Sequence, residues 1–226
     1  MKQRPFIISG LIGLAVILMS VISLLVFPQT SPGQIDGIRS PIVAFEFAQT
    51  AAEINMLFGP NGATEQAEMV QKMDQGNRLD YLYMLLYSAF LFSFAVLAAK
   101  QSGQTWLYAG AVLALLALIG DALENVQLLS ITANLQSGDF GAVLARLHWF
   151  TWLKWGSLAS YFLVMAMWFW GNGRFAKLIA VVGVLTFLLG LAAFMQRGPA
   201  TEPFTLAVAL MFLLMIIFCF TTQERK

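Results

Sequence analysis

Six runs of mostly apolar residues, each long enough to cross a bilayer as a helix, constrain this chain more than any other feature. A spanning helix needs about 20 such residues. The runs cover residues 6–27, 79–99, 105–129, 147–170, 175–195 and 204–220. A soluble core is excluded by composition, since 59% of the 226 residues are hydrophobic and 11% are charged. Soluble domains carry about 25% charged residues. A soluble fold of this size has no interior large enough for that apolar surface, so lipid is the expected solvent. The expected fold is all-α: a single integral membrane helical bundle over residues 1–226, with six transmembrane helices and a helical extracytoplasmic loop at residues 28–77.

Charge and rare residues narrow the function classes. A net charge of +1 gives no basic patch to neutralise phosphates, so no nucleic-acid partner is expected. Cys219 is the one cysteine and His148 the one histidine. That rules out an intrachain disulfide, a Cys-rich metal site, a multi-His zinc site and a bis-His haem within one chain. The first run follows Lys2 and Arg4 but is too long for a signal-peptide core, and no A-x-A site follows it, so an uncleaved signal anchor is expected. With the N-terminus inside, the cytoplasmic segments hold Lys2, Arg4, Lys100, Arg174, Lys177, Arg225 and Lys226. The opposite side holds Arg39, Lys72, Arg78, Arg146 and Arg197. The positive-inside bias therefore places both termini in the cytoplasm, and the six-span plan suggests a bacterial inner membrane.

The extracytoplasmic loop is acidic, with Asp36, Glu46, Glu53, Glu65, Glu68 and Asp74 against Arg39 and Lys72. "SPIVAFEFAQTAAEINMLFG" predicts one amphipathic helix, with Ser40 as N-cap, Pro41 at its first position and Gly59–Pro60 as its stop. "NGATEQAEMVQKMDQG" predicts a second, more polar helix ending at Gly76. An interfacial lipid-binding helix is normally Lys/Arg-rich on its polar face. The acidic loop is therefore read as a lid over the outer ends of the spans.

The chemistry lies in "LIGDALENVQLL", residues 118–129, where carboxylates sit inside an apolar run. Residues three and four apart share a helix face, so Asp121, Glu124 and Asn125 point one way. Asp80, Tyr83 and Tyr87 form a second stripe, and Thr151, Lys154, Ser157 and Tyr161 a third. At 1.5 Å per residue, Tyr87 and Asp121 fall about 12 Å below the outer surface and Lys154 about 10 Å below it. A charge at the centre of a spanning helix costs about 2.5–3.5 kcal/mol, which pairing inside the bundle offsets. Lys154 is expected to pair with Asp121, Glu124 or both, with Arg78, Arg146 and His148 placed nearer the surface to balance surplus acid. Trp149 fits an interfacial belt, while Trp152 and Trp155 lie deep enough to wall a pocket. Ser9, Gly13, Gly183 and Gly190 mark sites of close helix approach.

"FEFAQT", "DYLYMLLYS", "GDALEN" and "LKW" resemble the corresponding segments of a group of uncharacterised bacterial multi-pass membrane proteins. Their shared pattern is D-x6-Y, D-x-x-E-N and K-W. The resemblance covers residues 40–160 and falls on Glu46, Asp80, Tyr87, Asp121, Glu124, Asn125 and Lys154. It implies a bacterial membrane location and supports this choice of residues, but it carries no activity. The last two spans lie outside it.

These features lead to an outward-facing polar pocket formed by Asp80, Tyr83, Tyr87, Asp121, Glu124, Asn125, Lys154 and His148. Such a pocket would bind a lipid or small amphiphile, with Lys154 facing an anionic part. An alternative is a lipid-active enzyme in which Asp80, Asp121 and Glu124 hold a divalent cation or a water; an all-oxygen set suits Mg²⁺ or Ca²⁺. No other cofactor is implied. The remaining alternatives are a structural subunit of a membrane complex or homo-oligomer, and an ion-coupled transporter. The last is disfavoured because the chain shows no inverted repeat.

Overall fold

A computed structural model describes residues 5–222. Lys2, Arg4, Arg225 and Lys226, which enter the charge-bias argument, lie outside the described residues. The described chain is all-helical: α1 (Ile7–Val26), α2 (Pro41–Glu46), α3 (Ala51–Phe58), α4 (Thr64–Ser102), α5 (Tyr108–Ala133), α6 (Gly141–Trp170), α7 (Arg174–Met195) and α8 (Thr201–Thr221). Five of these, α1, α4, α5 (with the 3-10 turn Thr105–Leu107 that leads into it), α7 and α8, are long and apolar enough to cross a membrane. The remaining expected span, 147–170, lies within the 30-residue α6. This helix holds five of the six tryptophans together with Lys154 and His148. Those side chains lower its hydropathy, although its length exceeds what a bilayer requires.

The six long helices pack in a closed circuit, α1 on α4, α4 on α5, α5 on α6, α6 on α7, α7 on α8, and α8 back on α1. Small residues let them approach. Gly10 and Gly13 of α1 lie against Cys219 and Ile216 of α8, Gly183 of α7 against the Phe162 carbonyl, and Gly190 against Phe204 and Ala159. Ser9 and Ser93 share a hydrogen bond of 2.9 Å between α1 and α4. One half of the bundle is filled with interlocking rings. Phe94 stacks on Phe6 at 4.7 Å between centroids, Trp168 and Phe218 pack edge-on against Phe6, and Phe169 packs edge-on against both of those rings. The other half, toward residues 28–63 (the loop end), is not filled in this way.

The loop is folded and pinned. Its own apolar residues Phe45, Ile54, Leu57 and Phe58 form a second core with Leu128, Ile131, Leu144 and Leu147, at the loop ends of α5 and α6. The single amphipathic helix expected over 41–58 is instead two helices. The chain breaks after Glu46, and Thr50 starts α3 with a capping box in which its hydroxyl accepts from the Glu53 amide and the Glu53 carboxylate accepts from the Thr50 amide. Gly59, at φ 76°, ends α3 as expected. Ser40 does occupy the N-cap position of α2, but its side chain makes no capping bond. The backbone amides of Arg39 and Ser40 donate instead to the Glu202 carboxylate at the start of α8. A second latch joins Arg197, in the α7–α8 turn, to the Glu53 carboxylate and the Phe47 carbonyl. The expected second loop helix does not stop at Gly76; it runs unbroken into the next span as the 39-residue α4. Gly76 has a packing role, since any side chain there would collide with the Phe27 ring.

A buried ionic cluster beneath an open cavity

Three helices carry their polar stripes to one place. On α5, Gly120 lies directly against the backbone of α6, where an added Cβ would stand 2.5 Å from the Lys154 amide nitrogen. This approach brings the next turn of α5 within reach of the lysine. The Lys154 ammonium lies 3.2 Å from Asp121 Oδ1, pairs closely with Glu124 Oε2, and donates to Glu46 Oε1 at 3.0 Å. Glu124 is wholly buried and Asp121 is 2% exposed. Surrounding donors satisfy much of this charge. Tyr87 donates to Asp121 Oδ2 at 2.7 Å, Thr151 to Glu124 Oε1 at 2.5 Å, Trp155 Nε1 to Glu46 Oε2 at 3.0 Å, and Asn125 to Asp80 Oδ2 at 2.7 Å. Tyr83 packs edge-on against Tyr87 and accepts a hydrogen bond from Ser20 of α1.

Asp80, Tyr83, Tyr87, Asp121, Glu124, Asn125 and Lys154 are therefore brought together, and the expected pairing of Lys154 with both α5 acids is present. His148 is not part of the cluster. It stacks edge-on against Trp149 and borders a narrow crevice with Glu46 and Thr151. Two further residues expected to balance the acids are also elsewhere: Arg146 donates to Gln127 at 2.9 Å, and Arg78 is exposed. Trp152 packs on Phe47 and Phe194 rather than walling the site. Tyr161 donates to the Leu91 carbonyl and belongs to the bundle core.

Glu46 is the member that helix periodicity does not supply. It comes from the loop, at the last residue of α2, and closes over Lys154 and Trp155. Burial pushes its carboxyl above the ordinary range, against the pull of the Lys154 charge. The cluster thus holds four carboxyl groups, Glu46, Asp80, Asp121 and Glu124, around one ammonium. The ammonium occupies the position where a cation bridging Asp121 and Glu124 would sit, while Asp80 is turned toward Asn125. Among the described residues no three His, Cys, Asp or Glu side chains converge as a metal-holding group.

Above the cluster lies a cavity of about 670 Å³. Glu46, Asp80, Asp121 and Lys154 form its polar floor, Tyr83, Tyr87, Trp155 and Phe212 line its sides, and Arg39 and Glu202 line it nearer the loop. Both α1 and α8 contribute to its lining, and exposed leucines there mark an opening between them. These helices touch at Gly10 and Gly13, but toward the loop end Ser20 and Ser23 face the cavity from α1, and Thr205 and Ala209 from α8. Leu24 and Leu206 flank the opening and are 66% and 69% exposed. Comparison with protein-family models, curated proteins and solved structures gave no match.

Proposed function

We propose that this protein binds a lipid or other amphiphile, taking its headgroup into the cavity and leaving its chain between α1 and α8. In this reading α6 is a sixth span, both termini are cytoplasmic, and residues 28–63 cover the extracytoplasmic face of a bacterial inner membrane. The cavity then opens sideways into the outer leaflet. One observation carries the proposal: a space of about 670 Å³ has buried charges at its base and exposed leucines at its mouth. Ligand sites are typically concave and largely apolar, with a few convergent polar groups. A cluster whose sole task was to fix helix register would be dry and closed; this one borders a cavity.

The test is to record native mass spectra of the protein released from its membrane, alongside organic extraction of the same sample. Wild-type protein is expected to retain an amphiphile at near one per chain. Ala209→Trp, which fills the mouth from α8, is expected to lose it while keeping its helicity. Empty wild-type protein, or equal retention by the plugged variant, would overturn the reading.

A further inference from the structure

We infer that the cavity prefers amphiphiles with a positively charged headgroup, an ammonium foremost. This inference rests on the binding reading above and assigns the ligand class to the same site. The only ammonium on the cavity floor belongs to Lys154, and three carboxylates already surround it. An anionic headgroup would have to compete with these three acids for the ammonium.

The acids retain capacity. Asp121 Oδ1, buried at the edge of the cavity, meets the Lys154 ammonium at 3.2 Å and accepts from no other donor. Asp80 accepts from Asn125 through Oδ2. Among the described residues no donor reaches its Oδ1, and Asp80 also lines the cavity. Arg39 and Glu202 also line the cavity, so with Glu124 five carboxyl groups stand against two cations, a surplus of acidic groups. A cationic headgroup would relieve that surplus directly.

The side walls point the same way independently. Tyr83, Tyr87, Trp155 and Phe212 line the space above the acids, and aromatic faces attract cations through their quadrupoles. The Trp155 ring already has the Lys154 ammonium 5.1 Å from its centroid. Carboxylates below and aromatic rings around form a setting for an ammonium group. The apolar mouth between Leu24 and Leu206 provides for a chain, so an amphiphile is favoured over a free small amine with the same headgroup.

The test is a series sharing one chain: dodecylamine, dodecanol and dodecanoate, with butylamine as the chainless amine. Binding to wild-type protein in dodecyl maltoside micelles is titrated by native mass spectrometry at neutral pH. Dodecylamine is expected to bind about tenfold or more tighter than dodecanol, the scale of one desolvated cation contact, and dodecanoate weakest. Butylamine is expected to bind weakly. Asp80→Asn, which keeps the side-chain shape, should remove most of the amine preference. Amine and alcohol binding alike, dodecanoate binding tightest, or Asp80→Asn leaving the preference intact would each overturn the headgroup inference while the cavity reading stands. Butylamine matching dodecylamine would overturn the amphiphile assignment. If none of the series binds, the cavity reading fails with it. The wild-type series requires no variant to fold.

Discussion

Replacing Gly120 by alanine adds one methyl group where α5 lies against the backbone of α6. The new carbon would stand 2.5 Å from the Lys154 amide nitrogen, 3.0 Å from the Leu153 carbonyl carbon and 3.1 Å from the Lys154 Cα. Carbon contacts are comfortable at about 3.5–4.0 Å, and these neighbours are backbone atoms that cannot rotate aside. The two helices must therefore separate by about 1 Å. The Asp121–Lys154 pair, now 3.2 Å, would lengthen past ion-pair range. Overpacking of this kind costs about 1–3 kcal/mol. Alanine is otherwise the better helix former by about 1 kcal/mol. The net of these two is a loss of up to roughly 2 kcal/mol, to which the stretched Asp121–Lys154 pair adds. Gly156, two residues beyond Lys154 on α6, faces open space. Gly156→Ala should therefore be neutral or stabilising, by up to about 1 kcal/mol. Reversible denaturant unfolding in mixed micelles measures both. Gly120→Ala as stable as wild type, or Gly156→Ala equally damaging, would refute the close-approach argument.

Further outcomes follow from the cluster and the loop. Lys154→Met leaves Glu46, Asp121 and Glu124 without their cation and should destabilise by about 3–5 kcal/mol in the same unfolding assay. Adding Asp121→Leu should recover part of that stability but not amphiphile retention; full retention by the double variant would reduce the pair to a register device. Tyr87→Phe removes a donor to a buried carboxylate and should cost about 1.5–3 kcal/mol. The Glu53–Arg197 latch is partly exposed, so Arg197→Ala should cost at most about 1 kcal/mol and show itself in faster proteolysis within residues 28–63. The latch is also pH-dependent. Burial alone would raise the Glu53 carboxyl, but hydrogen bonds from Arg197 and the Gln49 amide outweigh it and hold the group below its ordinary range. A depressed carboxyl stabilises the fold above its unfolded value. The latch is therefore complete at neutral pH and is lost as pH falls below about 4.3, which proteolysis at stepped pH would register.

The spans and the polar stripes were legible because a helix turns every 3.6 residues and a bilayer has a fixed thickness. Those two lengths alone brought Tyr87, Asp121 and Lys154 to one level. The same rule shows why His148 is absent: six residues from Lys154, it has turned to another side of α6. Glu46 was beyond such reasoning. Its place depends on how the loop folds back, through latches at Arg197 and Glu202 that are distant in sequence. The break in the loop helix did leave a local sign, since Thr50 followed by Glu53 is a capping-box pattern in the middle of the run read as one helix. Gly120 left none, because a glycine inside an apolar helix looks alike whether it faces lipid or a neighbouring backbone. The charge surplus was hidden for a related reason: Lys154 stood out as an available cation until the positions of three acids were known together.

The most direct measurement is an experimental map of the protein in lipid nanodiscs prepared from its own membrane. The account predicts elongated density with its head beside Asp80 and Asp121 and its chain leaving between Leu24 and Leu206. Helices α1 and α8 closed along their whole length, with the carboxylates sealed off from any cavity, would contradict it.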